Sequence, residues 1–295
     1  MQTADGGQQM KRLLQSAPIG VFDSGVGGLS VWRYLVQRLP QEPTLYFADQ
    51  SHLPYGPRPR EEVRRYAEEI TRFLVAQGAK LIVVACNSAS GPALHGLRET
   101  FPDVPFVGME PAIKPAAERT RTGVIGVIAT PATFQGELFQ GLVERFAGDV
   151  TLKTQTCPGL VEAVEEGALD TPETEALIRK YLTPMLAAGI DHLVLGCTHY
   201  PFLSKAFQRV TGPSVTLIDP APAVARQVER VLARRGLLTP GSESVHHTFY
   251  TSGDPTALAA GLDALVGYTT QVEPVLWREG GIVRRRGEAQ SGRRG

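Results

Sequence analysis

Two stretches of this chain can be laid over one another without a gap, and nothing else in the sequence restricts the fold as much. Gly78-Ala79-Lys80-Leu81-Ile82-Val83-Val84-Ala85-Cys86-Asn87 matches Gly189-Ile190-Asp191-His192-Leu193-Val194-Leu195-Gly196-Cys197-Thr198 at an offset of 111. Each runs glycine, apolar stretch, cysteine, small polar residue. Ile19-Gly20-Val21-Phe22-Asp23-Ser24 matches Ile125-Gly126-Val127-Ile128-Ala129-Thr130 at an offset of 106, and the segment at Thr44 matches that at Thr151 at 107. Three blocks in one order at similar offsets imply two related halves, and the period is too long for a solenoid. Chance similarity among generic strand–helix units is the competing explanation.

Short apolar runs alternate with longer amphipathic segments, the pattern of βαβ units and a parallel sheet. Strands are expected at 19–22, 44–48, 81–85, 106–108, 124–129, 193–195 and 215–218. The stretch 60–77 places Val63, Ala67, Ile70 and Leu74 on one helical face, and 174–188 does so with Leu177, Tyr181 and Met185. Gly78 and Gly189 supply the C-terminal stops. Beyond Asp219 there is no third cysteine block. A helix at 223–238 and a strand at 247–250 are expected there, free to return and cover the first half. The fold class is therefore α/β, with two similar parallel-sheet domains facing each other across a cleft.

Thirty basic side chains balance thirty acidic ones in 295 residues, which removes the simplest argument for a nucleic-acid partner. The basic charge gathers at the end: from Arg278 onward there are six arginines against two glutamates. That tail (278–295) and residues 1–17 read as flexible ends. No run approaches the ~18 apolar residues of a membrane helix, and no apolar core follows Lys11 and Arg12 as in a secretory signal. Three cysteines, Cys86, Cys157 and Cys197, fit free thiols in a reducing cytoplasm.

Cys86 and Cys197 each follow an apolar strand, at the edge where open α/β sheets bind ligands. Either alone reads as a small core hydrophobe. As a pair, each followed by polar side chains (Asn87 and Ser88; Thr198 and His199), they place two thiols in one cleft from opposite sides. Opposed thiols suit removal of a proton from one face of a carbon and delivery of another to the opposite face. Disulfide exchange more often uses Cys-x-x-Cys. A thiol with an ordinary pKa of about 8.5 needs a neighbour to take its proton. Asp23 is the candidate for the first side, with a helix N-cap as its plainer role. His199 is the candidate for the second.

Asp23-Ser24-Gly25-Val26-Gly27-Gly28-Leu29-Ser30 is a strand-to-helix loop whose bare amides suit an anion such as a carboxylate. It nearly matches Gly-x-Gly-x-x-Gly, and Asp49 ends the second strand, so a dinucleotide-binding oxidoreductase is a rival. A two-lobed binding protein is another. Pro54-Tyr55-Gly56-Pro57 is a rigid turn presenting a phenol. Cys197 and His199 are too few ligands for a metal site.

Together Ile19-Gly20-Val21-Phe22-Asp23-Ser24-Gly25-Val26-Gly27-Gly28-Leu29, Pro54-Tyr55-Gly56, Val84-Ala85-Cys86-Asn87-Ser88-Ala89-Ser90 and Leu195-Gly196-Cys197-Thr198-His199-Tyr200-Pro201 resemble glutamate racemase, in order, from about Ile19 to Ala225. The resemblance implies interconversion of L- and D-glutamate without a cofactor, feeding D-glutamate to bacterial peptidoglycan. Aspartate racemase, with a similar two-cysteine design, is a close variant that the longer motifs disfavour. Cys86 and Cys197 would be the acid/base thiols, assisted by Asp23 and His199. Asp23, Ser24, Tyr55, Gly56, Asn87, Ser88, Thr198 and His199 would line the substrate, with Thr130 beside them at the place of Ser24 in the second half. Ser88 stands where the family more often has Thr; both keep a hydroxyl. The resemblance also implies a homodimer and a discontinuous first domain (18–110 plus 221–277) around a second (111–220).

Overall fold

A computed structural model describes residues 3–241 and 245–285. Eleven strands form among them: β1 (Ile19–Asp23), β2 (Thr44–Ala48), β3 (Leu81–Val84), β4 (Phe106–Gly108), β5 (Val124–Ala129), β6 (Thr151–Thr156), β7 (His192–Gly196), β8 (Thr216–Ile218), β9 (His247–Thr251), β10 (Val272–Arg278) and β11 (Gly281–Arg284). The eight strands expected from the sequence, 247–250 among them, all form, their ends shifted by at most one residue. They were legible because a strand covered on both faces must be apolar throughout. β3 has four consecutive buried residues, each stabilising by about 1.5–3 kcal/mol relative to exposure.

The strands make two sheets, ordered β11-β10-β9-β2-β1-β3-β4 and β6-β5-β7-β8. The run β2-β1-β3-β4 in the first is the run β6-β5-β7-β8 in the second, all of it parallel. Ile19 lies opposite Thr44 and Leu81; Ile125 lies opposite Leu152 and His192. This shared order bears out the two-half reading and leaves chance similarity without support. In each half the order reverses direction beside the first strand, and the cysteine follows the strand on the far side of that switch. Such a crevice, at the carboxyl ends of the strands, is where open sheets bind ligands.

After the second sheet the chain passes through the helix Ala221–Arg235 and adds β9 in parallel to β2, with Thr44 opposite His247. β10 follows in parallel and β11 closes the edge as an antiparallel partner. One apolar core fills the space between this sheet and the helices Arg60–Ala76 and Asn87–Thr100, built from Phe22, Phe47, Ile70, Leu74, Ile82 and Val84. Another runs without interruption from Val21, Leu29 and Trp32 in the first half to Leu160, Leu195 and Leu203 in the second.

The flexible ends need correction. Residues Thr3–Ser16 form a helix, docked where the Gln15 carbonyl accepts from Lys80 Nζ and Thr239 Oγ1. Residues 278–284 complete the β10–β11 hairpin, where Arg278 pairs with Gly281 across a two-residue turn. Gly280 takes φ 90° there, a left-handed conformation that glycine adopts without a Cβ penalty. The last arginines of the tail, from 286 onward, lie outside the described residues. No helix among the described residues is long and apolar enough to cross a membrane.

Candidate active site

Each strand end at the switch delivers one part of the site. β1 ends in Asp23, fully buried, whose Oδ2 accepts from the Gly28 amide at 2.8 Å. Asp23 is not the helix N-cap, a position taken by Gly28 with no side-chain cap; its carboxylate instead ties the loop to the end of β1 and keeps a second oxygen, Oδ1, buried and without a hydrogen-bond partner. β3 delivers Cys86, extended at φ −144° and ψ 119°, directly before the helix Asn87–Thr100. A helix N-terminus favours negative charge, so a thiolate at Cys86 sits at its favourable end. Asn87 follows, buried, with neither amide atom hydrogen-bonded. Ser88 Oγ meets Thr130 Oγ1 at 2.9 Å, a direct bond between the two halves.

From the other side, β7 delivers Cys197, Thr198 and His199, all buried. Cys197 Sγ lies 3.6 Å from His199 Nδ1, and His199 Nε2 lies 2.7 Å from Glu165 Oε1. Glu165 Oε1 also accepts from the Val26 amide at 2.8 Å. Glu165 ends the helix Leu160–Glu165 and was not foreseen from the sequence. It has no motif around it, and a glutamate at the end of a short amphipathic helix reads as a solvated face.

The glycine loop is where the halves close on one another. A Cβ on Gly25 would stand 2.0 Å from Glu165 Oε1, and one on Gly27 would stand 2.4 Å from His199 Nδ1 and 2.7 Å from Thr198 Oγ1. These glycines make room for the facing side chains. That occupation overturns the dinucleotide alternative, because the Val26 and Gly28 amides are taken by Glu165 and Asp23, and the space over Gly25 and Gly27 is filled by Glu165, His199 and Thr198. Asp49, the expected ribose partner, is itself buried and committed to side chains of this chain. Gly56 likewise stands against Thr130, with 3.0 Å from a Cβ to Thr130 Cβ.

Tyr55 requires a correction of detail. Its phenol is not presented to the cleft but donates to Asp49 Oδ2 at 2.6 Å. Burial first, and then the charges of Asp49, Cys86 and Asp23, hold that phenol well above its usual pKa, hence protonated. Beside Gly56 and Thr130 lies a mostly apolar cavity of about 190 Å³, also lined by Cys157, Val161 and Tyr200. Burial, reinforced by the Cys197 charge, pushes the Cys157 thiol up to about 12, which leaves it a neutral lining group.

Electrostatics act strongly on the first thiol. Burial, then the charge of Asp23, push Cys86 well above the ordinary thiol value, and the charge of Cys197 adds to that rise. Burial raises Asp23 as well, against the opposing pull of His199, a hydrogen bond from the Cys86 thiol and the Gly28 amide. At His199 burial disfavours the proton, but hydrogen bonds to Cys197 and Glu165 overcome it and hold the imidazole well above its usual range. Among the described residues no group of three or more His, Cys, Asp or Glu is placed to hold a metal.

Residues 19–228 match the family model described as Asp/Glu/Hydantoin racemase. The chain belongs to that family. A glutamate racemase of Roseiflexus sp. (strain RS-1) is 52% identical over 83% of this chain and 91% of its own length. Among solved structures, a glutamate racemase isoform from Bacillus anthracis superposes with a TM-score of 0.81 at 34% identity, covering 88% of this chain and 98% of that one. The glutamate racemase from Francisella tularensis, in complex with D-glutamate, gives 0.78 at 28% identity, covering 90% and 98%. Membership in this racemase family agrees with a site built from two facing half-sites, one thiol on each.

Proposed function

We propose that this chain interconverts L- and D-glutamate by a cofactor-independent, two-thiol acid/base reaction that supplies D-glutamate for peptidoglycan. One arrangement carries the reading: Cys86 and Cys197 end equivalent strands of two like halves that meet at Ser88–Thr130 and at Gly27–His199, with Asp23 at the end of the neighbouring strand on one side and His199 beside Cys197 on the other. One thiolate removes the α-proton, and the other thiol delivers its own proton to the opposite face. Atoms and charge balance, and the two sulfurs exchange protonation states with each inversion.

The unpaired buried groups match this substrate. Leaving a buried donor or acceptor unsatisfied costs about 1–3 kcal/mol, more for a charged one. Asp23 Oδ1 and both amide atoms of Asn87 are in that condition. An ammonium group suits the carboxylate oxygen, and a carboxylate suits the Asn87 amide with the Ser88, Thr130 and Thr198 hydroxyls. The Tyr55–Gly56 backbone closes the same side. Its likeness to glutamate racemases, one of them 52% identical and another in complex with D-glutamate, supports glutamate as substrate. Free thiols at all three cysteines support a reducing cytoplasm, and the family resemblance supports a homodimer.

The test is incubation of the purified chain with each glutamate enantiomer in D₂O, no cofactor added. Deuterium is expected at the α-carbon together with loss of optical activity. Cys86→Ala and Cys197→Ala are each expected to slow inversion by about a thousandfold while the fold persists by circular dichroism. Full activity in either variant defeats the assignment.

A further inference from the structure

We propose that Asp49 is a positioning residue, the buried carboxylate through which the C-terminal strands hold the Tyr55–Gly56 turn in place to bind substrate. This rests on the racemase reading above and names a residue for it that touches neither thiol.

Asp49 follows β2 and is fully buried. Its carboxylate gathers four side chains. Oδ2 accepts from Tyr55 at 2.6 Å and lies 2.9 Å from His52 Nδ1. Oδ1 accepts from Ser252 Oγ at 2.7 Å and from Trp277 Nε1 at 2.8 Å. Its amide donates to the Asp23 carbonyl at 2.9 Å, joining it to the end of β1. Two of the four donors come from more than 200 residues further along the chain.

The C-terminal attachment is reinforced around this point. The Ser252 amide donates to Ala48, Ser51 donates to Ser252 Oγ, and Thr251 Oγ1 donates to Gln50 Oε1 at 2.7 Å. A Cβ on Gly253 would stand 2.7 Å from Gln50 Cβ, so the turn after β9 is seated on residues 49–51. Trp277 sets its ring edge-on to His52 and Tyr66, with centroids 4.9 and 5.5 Å away, and His52 stacks on Tyr66 at 4.0 Å.

An apolar side chain here would leave the four donors buried without an acceptor, at about 1–3 kcal/mol each. What a carboxylate supplies is direction, with two oxygens fixing four donors at once. The output of that arrangement is Tyr55, and the next residue is Gly56, packed on Thr130 across the cleft. Slack at Asp49 therefore appears as misplacement of the Tyr55–Gly56 turn.

The test compares wild type with Asp49→Asn, Trp277→Phe and Ser252→Ala, measuring kcat and KM for both enantiomers and the thermal midpoint. The amide in Asp49→Asn is isosteric with the carboxylate but turns an NH₂ toward donors, leaving at least one without an acceptor. This variant is expected to raise KM for both enantiomers about tenfold with kcat within about threefold. Trp277→Phe and Ser252→Ala each remove one donor far from the thiols and are expected to raise KM about threefold. A merely structural role would reduce the folded fraction, lowering apparent kcat and leaving KM alone. Unchanged KM in Asp49→Asn and Trp277→Phe, or a fall in kcat by itself, overturns the proposal. Failure of wild type to invert glutamate removes the racemase reading and this role with it, a result readily told apart from active wild type with unmoved KM in the variants.

Discussion

His199 receives the Cys197 sulfur on one ring nitrogen and the Glu165 carboxylate on the other, at 3.6 and 2.7 Å. A neutral imidazole has one donor and one acceptor. A carboxylate on Nε2 fixes the proton there and leaves the Nδ1 lone pair facing the thiol, the tautomer needed to take its proton. When His199 becomes imidazolium, Glu165 supports it. In Glu165→Gln the support is lost, so the limb of the pH–rate profile that reports His199 moves to lower pH. The rate constant kcat/KM is expected to fall about ten- to a hundredfold. It must fall equally for both enantiomers, because their free energies are equal. The side-specific role shows elsewhere. With α-deuterated substrates, the primary isotope effect should rise for the enantiomer deprotonated by Cys197 and fall for its mirror image. An equal rise for both would deny Glu165 and His199 a single side.

At the level of elements, two glycines distinguish a loop built for the cleft from a helix that merely leads away from it. Gly27 lies in the loop between β1 and the helix Leu29–Arg38, where a Cβ would meet His199 and Thr198. Gly91 lies in the helix behind Cys86, where a Cβ would meet nothing within 4 Å. Gly27→Ala is expected to displace His199 and lower kcat about tenfold or more, since misplacement by an ångström can cost about a hundredfold. Gly91→Ala is expected to keep its activity and to gain about 0.5–1 kcal/mol from helix propensity. Thermal melts and turnover on both variants check the contrast. The same elements show what a sequence discloses. β3 and β7 were readable because continuous apolar runs ending in Cys86 and Cys197 are the price of burial on both faces. Glu165 was not, because its meaning comes from a loop 139 residues earlier that donates to it. Tyr55 was readable as part of a rigid turn but not in its orientation, which depends on Asp49. Trp277 fell inside the first domain by sequence, but its role was not readable, since the strand that carries it is defined by pairing with β9 and β11 and its partner Asp49 lies 228 residues away.

Across the whole molecule, the ends of the first sheet's strands opposite the thiols are tied by a buried ion pair. Lys80 immediately precedes β3, and its Nζ bonds Glu42 Oε2 at 2.5 Å, the Gln15 carbonyl, and Thr239 Oγ1 at 3.2 Å. Thr239 in turn donates its amide to Glu42 Oε1 at 2.8 Å. The knot joins the N-terminal helix, the segment before β2, the start of β3 and the stretch after the helix Ala221–Arg235. Both charges are almost wholly buried, with side chains 1% and 3% exposed. Removing one partner of such a pair costs about 3–5 kcal/mol because the other charge stays behind, whereas neutralising both is often close to neutral. Lys80→Met is therefore expected to lose about 3–5 kcal/mol in urea unfolding. Adding Glu42→Gln, which keeps an acceptor for the Thr239 amide, is expected to restore most of that loss. Because the knot and the thiols lie at opposite ends of β3, folded Lys80→Met should bind substrate with unchanged KM. A single variant as stable as wild type would deny the pair its cost. A KM that moved with it would mean that the two ends of the sheet are coupled, and that the site is held by more than the strand ends that carry it.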